Sequence, residues 1–142
     1  MVGVVLVAHC KLAPELVTVL ESIVGKIEQV QAIAFEPGFN PEAVHKKIST
    51  AVKKVNSGDG VLIITDMFGG TPANISLSFL EENTVEVLTG MNLPMLIRLI
   101  TLREKRLTLT ELAAELQSYG KRNICIASEL LKRQSGVDVQ PL

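Results

Sequence analysis

The chain has 142 residues, the usual size of one domain with one core, and shows no internal repeat or linker. Apolar residues make up 47% and aromatics 4% with no Trp, so the core must be built from Val, Ile, Leu and Ala. A formal net charge of −1 argues against nucleic acid, no apolar run reaches membrane-spanning length, and Cys10 and Cys125 form no metal-ligand spacing. These features suit a reduced, cytoplasmic setting with no metal, other cofactor or direct membrane insertion.

Met1–Ala8 has neither a basic flank nor a small-residue cleavage pattern, so it reads as a strand and not as a signal peptide. The apolar, β-branched run Val2–Ala8 predicts a strand covered on both faces. A polar corner, His9-Cys10-Lys11, is followed by Pro14. Leu16, Val19, Leu20, Ile23 and Val24 then recur at helical spacing until Gly25. Val30–Phe35 reads as the second strand. Asn40 and Pro41 suit the cap and first position of a helix marked by Val44, Ile48, Val52 and Val55. Val61–Thr65 is a third strand with Asp66 at its carboxyl end. After the Met67–Gly70 loop, Thr71-Pro72 reads as an N-cap and first helical residue, with a short helix to about Leu80.

Val85–Leu88 predicts a fourth strand, and Pro94 starts a helix through Ile100. Arg103–Arg106 reads as a solvated charged connector. Thr108 and Glu111 have capping-box spacing, and the helix striped by Leu109, Leu112, Ala113 and Leu116 can end at Gly120. Arg122–Ala127 suits a short fifth strand, and polar Gln134–Leu142 a frayed end. Alternating strands and helices predict an α/β fold, a three-layer αβα doubly wound parallel sheet. Such sheets bind ligands beyond the strand carboxyl ends where strand order reverses. If the first and third strands are neighbours there, His9 and Asp66 stand side by side.

His9 is the candidate nucleophile, because unprotonated imidazole attacks near neutral pH. Phosphoryl transfer to nitrogen needs one free ring nitrogen while the other keeps its proton against an acceptor. Asp66 can be that acceptor and can steady the charge of the phosphorylated ring. Gly69 and Gly70 let the backbone approach a ligand, the following helix start offers N–H groups, and Thr71 adds a hydroxyl. On the residues alone, a turn histidine without chemistry fits His9 equally well, and ordinary turn and cap roles fit Asp66 and Gly69–Pro72 better. Cys10 reads as packing or incidental, since neighbours at a strand end point different ways. His45, between basic neighbours on a helix, reads as a solvated surface residue.

Three patches carry a resemblance: the strand ending in His9 with Leu12-Ala13 after it, Ile64–Asn74, and Gly90–Leu96. Phe35-Glu36-Pro37-Gly38 adds a weaker fourth. In this order they resemble the enzyme IIA domain of the mannose family (mannose, fructose and sorbose type) of the bacterial phosphoenolpyruvate-dependent sugar phosphotransferase system. The resemblance spans about residues 1–130 and leaves 131–142 as a C-terminal extension, partly disordered. It implies phosphorylation on His9, orientation of His9 by Asp66 and a grip on the phosphoryl group by Thr71. The donor it implies is the phosphocarrier protein HPr, and the acceptor a histidine of an enzyme IIB subunit, with membrane IIC and IID subunits beyond. It also implies strand order 2-1-3-4 and a homodimer exchanging a C-terminal antiparallel edge strand. Two positions depart from the family pattern: Cys10 stands where Gly is usual, and Phe68 where Trp is common.

Three other functions compete. One is the same phosphorylation used as a regulatory signal. Another is the phosphotransfer subunit of a dihydroxyacetone kinase. The third is a receiver phosphorylated on Asp66, which would need a magnesium site that Val7–Cys10 does not supply.

Overall fold

The computed structural model describes residues 1–135. Its elements are β1 (Gly3–His9), α1 (Leu12–Val24), β2 (Val30–Phe35), α2 (Pro41–Val55), β3 (Val61–Thr65), α3 (Thr71–Leu77), β4 (Val85–Thr89), α4 (Leu93–Arg103), α5 (Leu109–Arg122) and α6 (Ala127–Ser135). The four strands form one sheet in the order β2-β1-β3-β4, and every pairing is parallel.

Side chains alternate across β1, and each face meets its own helical layer. Val4, Leu6 and Ala8 join Leu62 and Ile64 under α1, α4 and α5. Val5 and Val7 join Val61 and Ile63 under α2. Burial on both faces is why β1 and β3 carry unbroken apolar runs. Each fully buried Leu or Ile adds about 1.5–3 kcal/mol, so these two layers hold the sheet edge that bears the site.

Local signals explain the helix ends. The Asn40 side chain accepts from the amides of Glu42 and Ala43, and Asn92 caps α4 through Met95 N–H. Thr108 caps α5 as the spacing with Glu111 suggests: Thr108 Oγ1 accepts from the Glu111 amide and donates to the Glu111 carboxylate, in place of the backbone half of a full capping box.

The structure corrects four expectations. The cap of α3 is Gly70 and Thr71 is already helical, because the Gly70 carbonyl accepts from Asn74 N–H. Gly120 does not end α5, which runs on to Arg122. Gly120 is buried, and a Cβ there would stand 2.7 Å from Cε of Met95, so it serves close packing of α5 on α4. Arg103 is no solvated connector but the buried last residue of α4. Its guanidinium donates to the carbonyls of Val2, Glu28 and Gln29, tying α4 to the entries of β1 and β2.

The fourth correction concerns Arg122–Ala127. Arg122 closes α5 and Ala127 opens α6, so this segment adds no strand to its own sheet. Two helices claim its ends, and the four residues between them carry no ladder bonds. Residues 131–135 continue α6; the rest of the expected extension lies outside the described residues. His45 is exposed as expected, yet it also stacks on Phe79 with ring centroids 4.4 Å apart.

Candidate functional site

In the order β2-β1-β3-β4 the chain leaves β1 toward β2 and later returns to β1's other side, so direction reverses between β1 and β3. His9 is the last residue of β1, and Asp66 directly follows β3. The crevice expected at such a point therefore opens between these two side chains.

Their contact is direct. Asp66 Oδ2 accepts the His9 backbone N–H at 3.0 Å and lies 2.7 Å from His9 Nδ1. Asp66 Oδ1 accepts the Met67 amide at 3.0 Å. An ionised carboxylate only accepts, so in the neutral ring the proton belongs on Nδ1 and the lone pair on Nε2. The His9 side chain is 48% exposed and that of Asp66 14%, so the ring meets solvent while its orienting charge is largely covered.

The Asp66 carboxyl titrates below its ordinary value. Burial is the largest single influence and pushes it up. The His9 amide, the His9 ring with its charge, and the Met67 amide together outweigh that push.

The loop after Asp66 meets the ring. A Cβ on Gly70 would lie 3.0 Å from Cε1 of His9 and 3.6 Å from Nε2. Gly70 is needed for space, since its φ of −81° suits any residue. Gly69 is needed for conformation, since its φ is +85° and a Cβ there would meet nothing within 4 Å. Thr71 is exposed at the start of α3, where the first amides of any helix lack intrahelical acceptors. No hydrogen bond joins Thr71 to His9 among the described residues. The site thus unites His9, Asp66 and Gly70, with Thr71 nearby in the chain.

Two further features escaped the sequence reading. Cys10 is exposed with φ +51°, a left-handed conformation that disfavours any side chain, and its amide bonds Phe35 O at 2.8 Å. The geometry explains why Gly suits this position. The Thr65 carbonyl accepts the amides of Gly90 and Met91, which sets the exit of β4 against the site-bearing end of β3. The start of the Gly90–Leu96 patch is thereby tied to the strand end that precedes Asp66.

Among the described residues no group of three His, Cys, Asp or Glu could hold a metal ion, and no helix is long and apolar enough to cross a membrane. Both oxygens of the Asp66 carboxylate are engaged, Oδ2 by the His9 amide and ring and Oδ1 by the Met67 amide.

Fold and site together define an open, parallel α/β domain displaying a carboxylate-oriented histidine at its topological switch point. The chain belongs to the family described as "PTS system fructose IIA component", whose model matches residues 3–117. Over 124 residues, 87% of the chain, it is 30% identical to the PTS system mannose-specific EIIAB component of Escherichia coli K12. It spans only 38% of that relative's length. Over 112 residues it is 31% identical to the fructose-specific EIIA component of Bacillus subtilis, covering 78% of the chain and 76% of the relative. The solved EIIA component from Streptococcus agalactiae superposes with a TM-score of 0.82 at 26% identity, covering 91% of this chain and 99% of that one. As a family member the chain is an EIIA component of the phosphotransferase system.

Proposed function

We propose that this chain is a cytoplasmic phosphoryl carrier that accepts a phosphoryl group from phospho-HPr on His9 Nε2 and passes it to a histidine of an enzyme IIB subunit. One observation carries the reading: Asp66 holds Nδ1 at 2.7 Å, which leaves Nε2 free and facing Gly70. The Nε2 lone pair attacks the donor's phosphorus. A new N–P bond forms while the donor's N–P bond breaks, and the donor imidazole keeps that electron pair. The carboxylate keeps Nδ1–H oriented and offsets the positive charge that the ring acquires. Gly69 leads the backbone around the phosphoryl position, Gly70 leaves room for it, and Thr71 supplies a hydroxyl donor. The second transfer repeats these events with His9 Nε2 as leaving group.

Residues 1–130 form the carrier domain in this reading, and its downstream partners are IIB with membrane IIC and IID subunits. Identity to mannose-specific and fructose-specific components supports a role in sugar uptake. A homodimer fits two features: among the described residues β4 ends the sheet with no strand on its outer side, and Ile124 and Ile126 stand 80% and 64% exposed. In a second copy this segment can pair along β4 as an antiparallel edge strand.

Incubation with phosphoenolpyruvate, enzyme I and HPr, read by intact mass, tests the carrier. An acid-labile gain of one phosphoryl group that His9→Ala abolishes is expected. No gain with competent partners, or a gain surviving His9→Ala, sinks the proposal.

A further inference from the structure

We propose that Phe68, displayed with Met67 on the loop between β3 and α3, is the apolar anchor on which the protein phosphoryl donor seats itself over His9. The inference deepens the carrier reading and rests on it. The chain has four phenylalanines, and three are accounted for by packing. Phe35 and Phe39 meet edge-on with centroids 4.9 Å apart, and Phe79 stacks on His45. Phe68 is 73% exposed, lies in neither core cluster and makes no ring contact among the described residues. Met67 beside it and Leu12 at the start of α1 are also exposed. The three follow the ends of β3 and β1, the strands that hold Asp66 and His9, and so bring exposed apolar side chains to the sheet edge that bears the site.

The loop is held by its polar duties. The Met67 amide bonds Asp66 Oδ1, Gly69 turns at φ +85°, and the Gly70 carbonyl receives Asn74 N–H at 2.9 Å. Phe68 is therefore presented from an ordered backbone, and only its two side-chain torsions remain to be fixed on binding. Aromatic side chains of this kind dominate protein contacts when a partner recess covers them.

The occupant is a protein because a ring that stands half exposed at a strand end is open to a broad partner surface. A cavity of about 1010 Å³ lies at the opposite end of the strands, between Met1, Asp59, Arg103 and Thr108, and none of its lining residues belongs to the His9 site. His9 sits on an open edge, half exposed. Water is excluded from the reacting phosphorus only if the donor itself covers that edge, and an apolar rim suits a folded donor with an apolar recess beside its phosphohistidine.

Initial rates of His9 phosphorylation, measured against phospho-HPr concentration for the wild type, Phe68→Ala and Phe68→Trp, test the anchor. Phe68→Ala should raise KM by about tenfold or more while kcat stays within about twofold. The melting temperature should not move, and Phe68→Trp should restore KM. An unchanged KM overturns the anchor. So does a fall in kcat at constant KM, which would make Phe68 a loop-holding residue. A change of oligomeric state in Phe68→Ala with KM intact overturns it too, because a second copy then covers the ring. A wild type that competent phospho-HPr cannot label sinks the carrier reading and the anchor together. A labelled wild type with an indifferent Phe68→Ala sinks the anchor alone.

Discussion

Gly70 and His9 are packed so closely that a single added carbon at Gly70 would lie 3.0 Å from Cε1 of the imidazole. Carbon atoms attract best near 3.5–4.0 Å, so either the ring or the loop must give way. The ring is the half-exposed partner and gives way first. Gly70→Ala should therefore turn His9 off its Asp66 contact and slow phosphorylation by about tenfold or more, since small misplacements at a reacting group are costly. Unfolding by urea should change by no more than about 1 kcal/mol, the scale of one off-rotamer side chain. Equal losses of rate and stability would show that Gly70 serves the fold and not the site.

Asp66 makes two separable contributions. Asp66→Asn keeps the shape but removes the charge and lets Nδ1 lose its proton, which frees the wrong nitrogen. Phosphorylation should fall by about 10²–10⁴-fold, the range for a lost orienting or proton-handling group. Stability should respond differently. The carboxyl is lowered in the folded protein, so its contribution is present above the unfolded carboxylate value of about 3.9 and is lost as pH falls through the lower folded value. Wild type and Asp66→Asn should differ in stability at pH 6 and converge on acidification. Chemical denaturation across pH 2.5–7 checks this, and a gap that widens toward low pH would reverse the assignment.

Cys10 tests whether backbone strain beside the nucleophile matters. At φ +51° a side chain costs about 1–2 kcal/mol relative to glycine. Glycine in turn loses about 0.5–1 kcal/mol more chain entropy on folding. Cys10→Gly should thus be neutral or stabilising by up to about 1.5 kcal/mol, with His9 phosphorylation kept, because no hydrogen bond joins the thiol to His9 among the described residues. A large loss of rate in this variant would give the Cys10 thiol a role that the geometry does not support.

These examples mark what could be read before the structure. The strands were legible because β1 and β3 are buried on both faces and show it as unbroken Val, Leu and Ile. The pairing of His9 with Asp66 was legible only on the condition that β1 and β3 are neighbours, an order that the family resemblance implied and the residues alone did not fix. Arg103 was not legible: a basic residue beside Glu104, Lys105 and Arg106 looks solvated, and its acceptors are backbone carbonyls 74 to 101 positions away. Gly120 misled for a related reason, because a glycine kept for helix packing looks the same in sequence as one that ends a helix. Arg122–Ala127 has strand composition but no strand partner among the described residues, and composition alone cannot say whose edge a strand joins.

That last segment yields the remaining prediction. Ile124 and Ile126 are two residues apart, so in an extended conformation they fall on one face. A symmetric dimer would bury both from each chain, four side chains in all. At about 1.5–3 kcal/mol each, their burial offers about 6–12 kcal/mol, enough to offset the cost of association only if most of it is realised. The wild type should therefore be dimeric by light scattering at micromolar concentration. The double variant Ile124→Asp/Ile126→Asp should be monomeric, with its far-ultraviolet spectrum unchanged because neither residue belongs to the core. If the wild type stays monomeric up to about 100 µM, where association is worth about 5.5 kcal/mol, these side chains are not covered by a second copy.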